Sequence, residues 1–302
     1  MLAPTLPAMA VIFFMVERRV AHPVVPFVLF KNVTFAVSSI TGFFVAFGMF
    51  GAIVYIGLVY QGVLGIGATN SGLLATPMMV GLIGASIVTG QLMIRITRYR
   101  FIGTIGLIVM VFGLYGLAQV NVGTPEVDVV RDLIMVGIGL GVSMPLYINA
   151  TQSALPREYL GVATSQIQFW RNVGGTVGVA ILGAVVSHEL PQRIQAQVAA
   201  LNLPPQIVAS LPSGGNAQAI FDPARIAATK ATLPAQAQPL FDQVLAAVRS
   251  ALALSLHDVF IYAAAVVSVA VVISLFLREV PLKARERPST EEVREGAPAF
   301  GG

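Results

Sequence analysis

Gly90-Gln91-Leu92-Met93-Ile94-Arg95-Ile96-Thr97-Arg98-Tyr99-Arg100 is the stretch on which the reading of this chain turns. Arg95, Arg98 and Arg100 crowd together between two runs, Ser71–Ile94 and Phe101–Val120, that carry no charged side chain. Each run is about 20 residues or slightly longer, enough for an α-helix to cross a hydrocarbon core of roughly 30 Å. A backbone in hydrocarbon must satisfy its own N–H and C=O groups, so such runs are helical. Connectors rich in Arg and Lys stay cytoplasmic, so the arginine hinge also sets the orientation expected for the whole chain.

Composition points the same way. Of 302 residues, 56% are hydrophobic and 11% charged, with a mean hydropathy of +0.81. Soluble domains carry about 25% charge, so a soluble globular class is excluded. The net charge of +4 does not gather into one basic face, and no nucleic-acid partner is expected. Cysteine is absent, which removes disulfides, thiolate metal sites and a cysteine nucleophile. His22, His188 and His257 stand apart with no metal-ligand spacing. Gly65-x-Gly67 lacks the Lys-Ser/Thr ending of a phosphate loop. No spacing of His, Asp or Ser suggests a catalytic group, so neither an enzyme nor a cofactor or metal is expected.

Outward from the hinge, the charge-free runs give the expected spans. Residues 1–16 are short of a full span and read as the tail of a helix that starts upstream, or as a short first span. Residues 17–32 form a charged connector. Five transmembrane helices follow within 33–186, at about 33–60, 71–94, 101–120, 133–151 and 161–186. A long outer segment covers 187–256, the last span 259–277, and a tail rich in charge, Pro and Gly 278–302, whose composition is that of disorder. Alternating these spans places twelve of the 18 Lys and Arg on the hinge side and five on the other, with Arg171 alone inside a span. That is the bias of a multi-pass protein with its hinge loop and tail in the cytoplasm.

The outer segment carries two amphipathic stripes. Leu190, Ile194, Val198 and Leu201 recur at helical spacing, and so do Leu240, Val244, Leu245, Val248 and Leu252. They fit helices resting on the membrane surface or the outer mouth, the second able to run directly into the last span. A gate or partner-docking surface is the alternative.

Few polar residues lie in or beside the spans. Arg171 is the only charge well inside one, about ten residues from Gly161. A guanidinium at that depth must face protein or water. It is either a cavity cation that steers anions or holds a carboxylate, or it snorkels to the inner surface from a helix that begins later. Thr164, Gln168, Arg171, Gly175 and Gly178 share one helical face. Gln61, Asn149 and Gln168 are the amides selected, with Arg171, as candidates for a substrate pathway; the alternative for each is hydrogen bonding between helices. Gly137/Gly141 and Gly174/Gly178 are small-xxx-small pairs suited to close helix packing.

Three stretches together resemble one family. They are Tyr60-Gln61-Gly62-Val63-Leu64-Gly65 with Ala68-Thr69, Ser71-Gly72-Leu73 and Pro77; the hinge Gly90–Arg100; and Gly137-Ile138-Gly139-Leu140-Gly141 through Gln152-Ser153-Ala154-Leu155-Pro156, Phe169-Trp170-Arg171 and Gly174-Gly175-Thr176-Val177-Gly178. The chain is similar to the C-terminal half of a major facilitator superfamily transporter of the fourteen-span drug:proton antiporter branch (EmrB/QacA type). The resemblance implies an all-α integral membrane protein, here a C-terminal six-helix bundle plus the end of a preceding helix. It implies a proton-coupled multidrug efflux antiporter of a bacterial inner membrane that works by alternating access. Gly90, Arg95, Arg98 and Arg100 would form a cytoplasmic gating loop, with Ile94 and Thr97 standing where the family pattern has Asp and Gly. Expected partners are membrane lipid, small organic substrates, an N-terminal bundle supplied by the same full-length chain or by a partner chain, and a periplasmic adaptor. No Asp or Glu lies in a span from Val33 to Val186, so the residues that carry protons are expected upstream. The rivals are a half-length protein that needs a partner half, and a non-transporting membrane scaffold or sensor that uses its outer segment.

Overall fold

The structure, a computed structural model, describes residues 27–66, 75–95, 99–201 and 238–279, with 226 and 230 as isolated positions. The short span expected over 1–16, most of the connector after it, Arg98 and the tail beyond Glu279 lie outside the described residues. Within them the chain is helical and contains no strand. Six long helices follow one another: α1 (Val33–Leu58), α2 (Thr76–Arg95), α3 (Tyr99–Ala118), α4 (Glu126–Ala154), α5 (Leu160–Ala199) and α6 (Gln238–Ser274). All six contain stretches long and apolar enough to cross a membrane.

Local chemistry explains the ends. Asn32 caps α1: its Oδ1 accepts from the N–H groups of Thr34 (3.0 Å) and Phe35 (3.2 Å). The same side chain donates through Nδ2 to the Ala154 carbonyl at 3.0 Å, so one residue closes the start of α1 and the end of α4. Helix α4 starts well before the apolar run at 133, because Pro125 precedes it and Glu126 and Asp128 favour the positive end of a helix. It also contains Pro145.

The larger departure from the apolar runs is at the end of the bundle away from the hinge, here called the distal end. Helix α5 continues past 186 through Pro191 to Ala199, and α6 begins at Gln238 instead of near 259. Forty residues of α-helix are about 60 Å long, roughly twice a hydrocarbon core. The two amphipathic stripes are therefore the distal turns of α5 and α6, standing on the bundle mouth instead of lying as separate surface helices. Their apolar sides meet each other: Leu190, Val198, Val244 and Val248 are buried in the same core as the spans. Arg193 ties the pair together, bonding Glu189 on its own helix at 2.9 Å and Asp258 on α6.

The helices form two rows. In one, α2 packs on α4, α4 on α1 and α1 on α5; α3 and α6 lie behind, α6 against α1, α3 and α5. The glycine pairs sit at the closest crossings of the first row. A Cβ at Gly137 or Gly141 would run into the carbonyls of Met78 and Leu82 on α2, and one at Gly174 into the carbonyl of Phe43 on α1. The central α1 and α4 bury 61% of their spans, whereas α2 buries 22% and α5 33%. The first row thus has uncovered flanks.

Candidate functional site

The hinge holds α3 to the end of α6. The Arg100 N–H donates to Glu279 Oε1 at 3.2 Å and its Nη1 to the Leu275 carbonyl at 3.3 Å. Behind this, Thr104 and Ser274 share a hydroxyl–hydroxyl bond of 2.9 Å, and the Thr34 hydroxyl donates to the Arg278 carbonyl. Gly90 has open space around it and Arg95 is exposed, both in the last turns of α2. Of Gly90, Arg95 and Arg100, the selected hinge residues that are described, Arg100 is the one that makes cross-helix bonds among the described residues.

Arg171 and Gln168 come together. Arg171 Nη1 donates to Gln168 Oε1 at 3.2 Å, and no carboxylate pairs with it among the described residues. Because α5 begins at Leu160, Arg171 lies three turns into the helix, about 16 Å along it. Its stem rests over Gly42 of α1, beside Ile167. Arg171 borders a cavity of about 10 Å³ also lined by Ser38, Ser143, Tyr147 and Ile148, room for a single water. Ser143 spends its hydroxyl on the Gly139 carbonyl, while the fully buried Ser38 hydroxyl has no partner among the described residues.

Beside this notch runs an uncovered polar stripe. Gly161, Ser165, Gln168, Asn172 and Thr176 are all exposed and recur at three- and four-residue spacing along α5. Ser165 and Thr176 bond back to the carbonyls of Gly161 and Asn172 on their own helix. Gln152 of α4 donates across to Thr164 at 3.3 Å, closing the hinge end of the groove.

The other two selected amides are elsewhere. Asn149 is exposed but turned toward α2, where its amide reaches the Met93 sulfur at 4.0 Å. Gln61 is partly buried in a π-helical turn, Val59–Val63, at the distal end of α1. That turn ends at Gly65, whose φ of +71° a glycine adopts freely, and a Cβ there would meet the Arg249 guanidinium of α6 at 2.8 Å. The sequence reading missed Ser38, Gly42 and Ser143. Their one signal is small or hydroxylated residues recurring on the α1 and α4 faces that meet Arg171.

Comparison with known proteins places this geometry in a family. The Major Facilitator Superfamily model matches residues 2–179. The multidrug transporter protein MdtP of Bacillus subtilis is 31% identical over 298 residues, covering 95% of this chain and 54% of that protein. Multidrug resistance protein 3 of the same organism is 28% identical over 273 residues (90% and 50%), and the tetracycline resistance determinant of Streptomyces rimosus 30% over 176 (58% and 51%). The chain spans about half the length of these curated relatives. It belongs to the major facilitator superfamily.

Proposed function

We propose that this member of the major facilitator superfamily is the C-terminal six-helix bundle of a proton-coupled multidrug efflux antiporter, of the fourteen-span EmrB/QacA type, in a bacterial inner membrane. The observation that carries the reading is the uncovered stripe from Gly161 to Thr176 with Arg171 at its edge. Polar and charged groups on a span are costly against hydrocarbon, so this face is built to meet protein or water. An N-terminal bundle, in the same chain or a partner, would cover the first row and enclose a pathway between the halves. Arg171 and Gln168 would line it near mid-depth, with Asn149 nearer the cytoplasm and Gln61 nearer the outer mouth. Arg95, Arg98 and Arg100 would lie in the cytoplasm, as the bias of positive charge supports. The distal turns of α5 and α6 would stand on the outer side, where a periplasmic adaptor could dock.

Amphipathic or aromatic organic compounds are the proposed cargo, in keeping with the names of the multidrug relatives. The full-length gene product, purified and reconstituted in vesicles, should couple substrate movement to proton movement across a panel of such compounds. Absence of coupled flux throughout the panel would defeat the proposal. Crosslinking in native membranes separates one long chain from two paired halves.

A further inference from the structure

We infer that the transported compound is gripped through a carboxylate by the guanidinium of Arg171. The inference rests on the transporter reading above and names the substrate class for its site. Arg171 has five N–H donors, and its one side-chain bond among the described residues is that to Gln168. The described acids lie in turns near the two ends of the bundle: Glu126, Asp128, Asp132, Glu189, Asp242 and Asp258 distally, Glu158 and Glu279 at the hinge. The positive charge at this depth is therefore uncompensated by the described acids of the bundle.

What surrounds it is neutral and suited to a carboxylate. Gln168 and Asn172 expose amides on the uncovered side, and Ser38, which lines the cavity, has a buried hydroxyl with no hydrogen-bond partner among the described residues. Gly42 leaves the space in which the Arg171 stem lies, and the head bonds Gln168 on the uncovered stripe. A guanidinium presents paired donors that match two carboxylate oxygens, and an ammonium does not. A fixed carboxylate on the second bundle would use the same chemistry, but a partly buried cation at the edge of an uncovered polar stripe suits an occupant that comes and goes.

The test uses the full-length protein in vesicles with two probes of one ring system, fluorescein and its methyl ester. Both are followed with the native chain, Arg171→Lys and Arg171→Gln, at matched amounts of folded protein. The native protein should prefer the acid. Arg171→Gln should lower the acid-to-ester rate ratio by about tenfold or more, and Arg171→Lys by less, since it keeps the charge and loses the paired geometry. An unchanged ratio in Arg171→Gln overturns the inference while leaving transport intact. Equal loss of both probes in both variants also overturns it, and points to a fixed carboxylate partner. If the native protein moves neither probe, the transport reading has failed on these compounds, and fluorescein polarisation decides the inference separately. Binding to the native protein that Arg171→Gln abolishes supports it, and no binding overturns it.

Discussion

The stem of Arg171 lies against Gly42: a Cβ built at Gly42 would stand 3.1 Å from Arg171 Cγ and 3.6 Å from its Cδ. The close neighbour is a flexible side chain, so the outcome of a substitution depends on its size. Gly42→Ala should fold, with a stability change of about 1 kcal/mol or less, because the stem can yield by a few tenths of an ångström. Gly42→Leu should expel the guanidinium from the notch and lower transport about tenfold or more, since misplacing a binding group by an ångström is costly. Thermal unfolding in detergent and vesicle uptake read the two effects. Native uptake by a well-folded Gly42→Leu protein would remove Arg171 from the pathway.

Other glycines meet backbone, and backbone cannot step aside. Gly174 faces the Phe43 carbonyl, and Gly137 the Met78 carbonyl. Gly174→Ala and Gly137→Ala should each cost about 1–3 kcal/mol by forcing their helix pairs apart. Gly84 and Gly90 have nothing within 4 Å of a built Cβ. Alanine there should change stability by about 0.5 kcal/mol or less. Denaturant titration of the four variants checks the contrast, and equal effects would mean that the α2–α4 and α1–α5 crossings are looser than described.

How far the sequence could be read depends on what each signal measures. A charge-free run measures how much chain tolerates hydrocarbon, and each of the six long helices overlaps one such run. It does not measure where a helix stops. Helix α5 passes Glu189 and Arg193 without a break because those side chains bond each other and Asp258 outside the apolar run. The amphipathic stripes revealed helices but not what would cover them; that required α5 and α6 to be laid together. The site shows the same division. Arg171 and Gln168 share a helix, so their meeting follows from a three-residue spacing. Whether Asn149 turns toward α2 or α5, and that Gly42 lies under Arg171, depend on helix crossings that periodicity within one helix does not encode.

The Arg193–Asp258 pair joins the distal turns of α5 and α6, with about a quarter of each side chain exposed. Partial exposure keeps its value modest. A double-mutant cycle with Arg193→Gln and Asp258→Asn should give a coupling energy of about 1 kcal/mol, falling at high salt. By contrast Val248→Asp, which puts a charge into the apolar seam of the same extension, should release the extension altogether. Limited proteolysis would then cut within 190–199 and 238–250 in Val248→Asp while sparing those turns in Arg193→Gln. Similar protease resistance in both would mean that the seam does not hold the extension.

Asn32 offers a way to separate two roles of one side chain. Its Oδ1 accepts the first N–H groups of α1, and its Nδ2 donates to the last carbonyl of α4. Asn32→Ala removes both and should cost about 1–2 kcal/mol. Asn32→Asp keeps the acceptor, and its charge suits the positive start of α1. It loses the donor, however, and sets an anion against the Ala154 carbonyl at the negative end of α4, where like polarity repels. Hydrogen exchange distinguishes the two ends. In Asn32→Asp the Thr34 and Phe35 amides should stay protected while those in the last turn of α4 exchange faster. In Asn32→Ala both should open. If Asn32→Asp leaves α4 as protected as in the native chain, the Nδ2 bond contributes nothing to holding the hinge end together, and the groove beside Gln152 and Thr164 is closed by those two residues alone.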